Sequence, residues 1–149
     1  MNPKPKVVFD TQIYLRALIN YRSGCGKLVL EQQTDYDLLT SQGINDEVMD
    51  VLTRSSIRKK FPQISDEDVQ RIGQALRSAT LVEVQSTDIE PVCRDPKDDM
   101  FLACAKTAKA DYLVSEDNDL LVIGQHYTTA IVNVATFLTI LEKRRDENS

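Results

Sequence analysis

The chain has 149 residues, 42% of them apolar and 28% charged, with a formal net charge of −5. This length can bury a real core, the composition excludes a disordered chain, and the negative total argues against a broad basic surface that coats nucleic acid. No apolar run reaches membrane-spanning length and MNPKPKVVF lacks a secretory h-region, so a cytoplasmic protein without a membrane partner is expected. One domain over residues 1–149 is expected, with a core over about residues 5–141 and solvated ends.

In chain order, residues 6–10 (KVVFD) read as a buried strand and residues 11–20 as a helix. A second helix runs from Ser23 through Leu28, Val29 and Leu30, and residues 36–40 (YDLLT) form a second strand. Ser41 caps a helix whose Ile44, Val48, Val51 and Leu52 make one apolar stripe. Pro62 ends that region, and Ser65-x-x-Asp68 opens a helix through Val69, Ile72, Ala75 and Leu76. Residues 80–85 alternate like a strand, and Asp95-Pro96 starts a helix to about residue 109. Strands follow at 110–115 and 129–133, and a closing helix at 136–144. Strands alternating with helices predict an α/β fold with a mainly parallel sheet, helices on both faces and right-handed connections.

The cysteines, Cys25, Cys93 and Cys104, are odd in number and form no C-x-x-C, so neither a disulfide framework nor a zinc site is expected. Cys104 lies in an apolar helical run and reads as a buried thiol; the lone histidine, His126, reads as a surface residue. The acids carry more information. In a parallel sheet ligands bind outside the carboxyl ends of the strands. Asp10 ends the first strand, Glu47 lies in the helix after the second, Asp98 and Asp99 open the helix after the third, and Glu116, Asp117 and Asp119 follow the fourth. All converge on one rim. Two like charges about 4 Å apart cost on the order of 4 kcal/mol at an effective dielectric of about 20, so either the pKa values of such a rim rise or cations neutralise it, with a salt-bridge network through Arg94, Lys97 and Lys106 as the plainer account. Oxygen donors without Cys or His select hard ions such as Mg²⁺ or Mn²⁺. Each acid also has a plainer role: Asp10 and Asp98 as caps, Glu47 as a solvated helix residue, and Asp117 and Asp119 in an Asx turn.

VVFDTQIYLRALI, INDEVMDVL and CRDPKDDMFLACAKTAKADYLVSEDNDLL together resemble the PIN-domain ribonucleases, and among them the VapC-like toxin components of bacterial toxin–antitoxin systems. The similarity runs from about residue 7 to residue 138 and is most specific in the last block. It implies a three-layer α/β/α sandwich and a divalent-metal-dependent endoribonuclease, with RNA as substrate and products bearing 5′-phosphate and 3′-hydroxyl ends. It implies catalytic acids at Asp10, Glu47, Asp99 and Asp117, with Asp10, Asp99 and Asp117 holding Mg²⁺ or Mn²⁺. Ser115 orients the site, Asp119 is auxiliary, and Asp98 is the second choice at the third position, since helical spacing does not separate it from Asp99. An antitoxin protein and a homodimer are implied partners. The family's first motif reads D-x-N, whereas this chain has Gln12, one methylene longer. That departure supports one alternative, a catalytically silent PIN scaffold that binds RNA or protein. Arg54 and Arg58, in TRSSIRKK, are candidate phosphate contacts, with a solvated helix end as the plainer account. A phospho-acceptor domain also places an Asp at a strand end, but Gln12 stands where the phosphatase type needs a second Asp, and the third and fifth strands lack the receiver's Asp and Lys.

Overall fold

The computed structural model of the protein describes residues 3–148. The β-branched and aromatic run after Pro5 forms β1 (Lys6–Phe9), with Val7, Val8 and Phe9 fully buried. Asp10 caps α1 (Thr11–Ile19), and Ser23 caps the short α2 (Gly24–Gly26), which runs on into a π-helical turn at Lys27–Glu31. A side chain at Gly26 would place its Cβ 2.2 Å from the Tyr21 carbonyl oxygen, so only glycine lets the chain fold back this tightly.

After β2 (Asp37–Thr40), Ser41 caps α3 (Gln42–Thr53), whose Ile44, Val48, Val51 and Leu52 face the core as their spacing predicts. Next come α4 (Ser55–Lys60), α5 (Asp66–Ser78) with a complete capping box from Ser65 and Asp68, and β3 (Thr80–Leu81). A long loop leads to a 3₁₀ turn at Pro96–Asp98 and then α6 (Asp99–Ala108). The chain closes with β4 (Tyr112–Val114), α7 (Asn118–Leu121), β5 (Gln125–His126), β6 (Thr129–Val132) and α8 (Val134–Asn148).

The sheet has strand order β3-β2-β1-β4-β6-β5, parallel except for the β5–β6 hairpin. β1 and β4 are therefore central, and the order turns outward in both directions from them. Right-handed crossovers put the helices that link β1, β2 and β3 on one face, and α6, which packs on β1, β2 and β4, on the other. This is the three-layer α/β arrangement expected. On the first face Phe9 meets Tyr14, Tyr36 and Phe137 edge-on, with centroids 5.8, 5.3 and 6.4 Å away. Each such pair adds about 0.5–1.5 kcal/mol beyond the area it buries.

Some elements differ from expectation. β3 keeps only two ladder residues, Thr80 and Leu81, both exposed at the sheet edge; one further bond from Val82 N–H to the Thr40 carbonyl extends it, and Val82 is half-buried against the core. The hairpin strand β5 and the short α4 and α7 carry no clear periodic signal. The closing helix runs to Asn148, so the expected solvated tail is helical through that residue; Met1, Asn2 and Ser149 lie outside the described residues. Among the described residues no helix is long and apolar enough to cross a membrane.

Candidate active site

The strand order reverses between β1 and β4, and a crevice opens outside their carboxyl ends. Asp10 leaves β1 into that crevice and is only 4% exposed. One carboxylate oxygen accepts the N–H groups of Gln12 and Ile13 at 3.0 and 3.3 Å, so Asp10 is indeed an N-cap. Its other oxygen accepts the hydroxyl of Ser115, which leaves β4 alongside. Ser115 Oγ in turn accepts the N–H of Asp117 at 2.9 Å, and an Asp117 oxygen accepts the N–H of Asp119 at 3.0 Å. One hydroxyl thus ties the ends of both central strands together. From α3, Glu47 accepts the hydroxyl of the buried Thr11, a contact the sequence reading missed because an isolated Thr–Glu pair leaves no spacing signature.

The cleft so formed, about 230 Å³, is lined by Asp10, Thr11, Gln12, Glu47, Val51, Asp95, Lys97, Asp98, Phe101 and Asp117. Asp98 belongs to it; Asp99 does not. Asp99 is 4% exposed, and one of its oxygens accepts the N–H groups of Val92 and Cys93 at 3.1 and 2.7 Å. It fastens the loop that precedes α6. The two neighbours diverge because consecutive residues of a helical turn point about 100–120° apart. Asp119 is not part of the cleft wall, and its N–H serves to hold Asp117. Arg54 and Arg58 lie outside the cleft, ion-paired with Asp50 at 2.6 Å and Asp66 at 2.8 Å. Two cleft residues, Asp95 and Lys97, were not singled out as site residues from the sequence. Glu116 turns away and accepts the first N–H of α8, from Val134, at 3.3 Å.

Electrostatics register the crowding. Burial pushes the Asp10 carboxyl up to about 6, against hydrogen bonds from Ser115, Ile13 and Gln12, with the charge of Asp117 adding to the rise. Asp98 also rises to about 6, by burial first and then by the charges of Asp117, Asp95, Asp10 and Glu47. Among the described residues none of these acids forms an ion pair within 4 Å.

A family model for the PIN domain matches residues 6–119. The chain belongs to the PIN domain family. PIN domains are generally nucleases that usually use divalent metals, and the family suggests RNA binding. A crystal structure of PAE2754 from Pyrobaculum aerophilum has the same fold, with a TM-score of 0.62 at 16% identity, over 95% of this chain and 99% of that one. No curated protein matches the chain.

The donor set suits the ion such a PIN nuclease uses. The cleft offers only oxygen ligands and a surplus of negative charge, the chemistry that favours Mg²⁺ or Mn²⁺. Among the described residues no three His, Cys, Asp or Glu side chains already converge as ligands. The carboxylates border the cleft without meeting, as like charges do.

Proposed function

We propose that this PIN domain is a divalent-metal-dependent endoribonuclease and the toxin of a toxin–antitoxin pair. The observation that carries this reading is the cleft at the β1/β4 crossing, where Asp10, Glu47, Asp98 and Asp117 arrive from four segments of the chain without ion-paired cations. Asp98 is half-buried there with neither an ion pair nor a side-chain cap hydrogen bond among the described residues, and burying an unpaired charge costs stability.

Asp10, Asp98 and Asp117 would hold Mg²⁺ or Mn²⁺. When bound, the ion neutralises phosphate charge and makes water a stronger acid. Ser115 fixes Asp10 and, through its contact with the Asp117 N–H, the loop that carries the third acid. Glu47, which accepts the Thr11 hydroxyl, would take a proton from a water in the cleft. Lys97, the cation of the cleft wall, would hold a substrate phosphate. In this reading Asp98 takes the third position that the family motif gave to Asp99, and Asp99 is a positioning residue for the loop.

The test is cleavage of single-stranded RNA with Mg²⁺ or Mn²⁺ against an EDTA control, with analysis of product ends. Metal-dependent products ending in 5′-phosphate and 3′-hydroxyl support the reading; metal-independent cleavage overturns it. The silent-scaffold alternative draws on Gln12, whose exposed side chain lines the cleft and makes no hydrogen bond among the described residues. It predicts RNA binding without cleavage in Mn²⁺. An antitoxin would have to present a basic group to this acidic rim, and a homodimer would be read from the chain's mass in solution.

A further inference from the structure

On the same rim as the carboxylate cleft, a second groove of about 380 Å³ opens past the carboxyl ends of β2 and β3. That volume falls within the roughly 300–1,000 Å³ usual for small-molecule sites. Its floor is Val82, Val84 and Met100, each half-buried. Its mouth is Leu81 and Ile89, 56% and 42% exposed, so a ligand can reach both. Scattered apolar residues are ordinary on a surface, whereas apolar residues gathered around a concavity are the usual lining of a ligand site.

The polar groups of the groove decide what kind of ligand suits it. Among the described residues its lining holds no Lys or Arg, so it does not suit a phosphate. Glu83, exposed, is the acid of the lining and can only accept a hydrogen bond when ionised. Past Val82 the chain leaves the ladder with β2, and the N–H groups of Glu83 and Val84 make no hydrogen bond to other backbone among the described residues. An apolar slot edged by an acceptor and by free backbone donors fits a neutral, flat ligand with a polar edge.

Place in the fold narrows this further. A Cβ at Gly43 would lie 3.5 Å from Met100 Sδ, so the first turn of α3 meets α6 there. The groove lies against Gly43 and Met100, while Glu47 of α3 and Phe101 of α6 line the carboxylate cleft. Gly43 and Glu47 are four residues apart, about 6 Å along the helix axis. The two openings thus share both helices as walls, and a strand with a phosphate in the cleft passes the groove within a nucleotide or two. Unpaired RNA bases, each with an apolar face and a hydrogen-bonding edge, are splayed out for protein contacts of this kind.

We propose, resting on the reading that RNA occupies the cleft, that this groove is a base subsite. One unpaired base, from a nucleotide near the phosphate in the cleft, packs against Leu81 and Ile89 over Met100. Its edge meets Glu83 and the adjoining backbone, so Glu83 favours a base that presents an amino or imino N–H there. Base selection is thereby assigned to the β3 edge, apart from the carboxylates.

The experiment uses fluorescein-labelled pentaribonucleotides carrying an abasic residue at each position in turn. Binding to the intact protein is followed by anisotropy in Ca²⁺, a hard ion that also takes oxygen ligands, and cleavage of the same strands is followed in Mn²⁺. Both are repeated on Leu81→Ser and Glu83→Gln. An abasic residue at one position should weaken binding about fivefold or more, the scale of one lost base contact. Leu81→Ser should remove that dependence, and Glu83→Gln should change which base is preferred at that position. Both side chains are exposed, so melting temperatures should stay at the parent value. Equal binding of intact and abasic strands at every position overturns the proposal. So does a base dependence that both substitutions leave unchanged, or no binding of RNA at all. The nuclease reading fails separately. Base-dependent binding without cleavage in Mn²⁺ supports the subsite and removes the nuclease, whereas Mn²⁺-dependent cleavage indifferent to every abasic position keeps the nuclease and removes the subsite.

Discussion

Two sets of acids in this protein behave differently. Four acids outside the cleft are ion-paired: Asp50 with Arg54, Asp66 with Arg58, Asp35 with Arg145, and Glu90 with Lys106, whose ammonium also lies 4.2 Å from the centre of the Tyr127 ring. At the β1/β4 rim, Asp10, Glu47, Asp98 and Asp117 share one cleft with no ion pair among the described residues. Paired surface acids are ordinary and each is worth little, about 0–1 kcal/mol. Clustered, partly desolvated acids oppose folding. The difference teaches where stability has been given up, and in a PIN domain that place is the candidate catalytic cleft.

Substitutions can break this contrast. The largest effect is expected for Asp98→Asn and Asp10→Asn, which should lower metal-dependent RNA cleavage by about 10²–10³-fold, the scale seen when a charge-handling group leaves an active site. Neither should lower the melting temperature, because each relieves repulsion. A clear loss of stability with cleavage intact would show that these acids are structural after all.

The next effect is pH dependence. Asp10 titrates near 6 in the folded chain against its ordinary 3.8, so the folded state holds the proton more tightly than the unfolded state. Its contribution to stability is therefore full below about pH 4 and is lost as pH rises through 6. At roughly 1.4 kcal/mol per unit this amounts to about 2–3 kcal/mol. Denaturation of parent and Asp10→Asn at pH 4.5 and pH 7.5 checks it: the variant should be the more stable of the two at the higher pH. Equal stability differences at both pH values would contradict the buried-acid account.

Asp99 sharpens the contrast within two consecutive residues. Asp99→Ala leaves two backbone N–H groups, of Val92 and Cys93, without their acceptor and should cost about 1–3 kcal/mol. Cys93 reports on this locally. Its thiol is pushed up to about 12 by burial, by its bond to Asp99 and by the acids around it, so alkylation should speed up when the loop is released. Cys25 and Cys104 are buried and should stay silent. Unchanged Cys93 reactivity together with lost cleavage would return the third catalytic position to Asp99.

The smallest effects concern the cations. Lys97→Ala should weaken RNA binding a few-fold and reduce the salt slope by about 0.7, the value of one phosphate contact to a single strand, with turnover little changed. Arg54→Ala and Arg58→Ala remove exposed surface pairs and should alter stability by less than about 1 kcal/mol and cleavage hardly at all. A salt slope altered by the arginines but not by Lys97 would move the substrate track onto α4.

The sequence was most readable where local signals and burial agree. β1, α3 and α5 follow from a β-branched run, an apolar stripe and a capping box. α4 was invisible because SSIRKK has no buried residue and no side-chain cap. The β5–β6 hairpin was hidden because its turn uses Tyr127, a non-glycine residue at φ 54°, instead of a recognisable turn pair. For the site, the rim followed from topology: any acid at the end of β1 or β4 lands there. What periodicity could not resolve was Asp98 against Asp99. The decision depends on a 3₁₀ turn at Pro96–Asp98 and on where the preceding loop needs an acceptor.

The most direct test is titration of Mn²⁺ into the parent protein, Asp98→Asn and Asp99→Asn by calorimetry near pH 7. The account predicts saturable binding by the parent and by Asp99→Asn, and affinity at least tenfold weaker in Asp98→Asn. Binding that survives in Asp98→Asn and disappears in Asp99→Asn, or no binding by the parent at all, would contradict it.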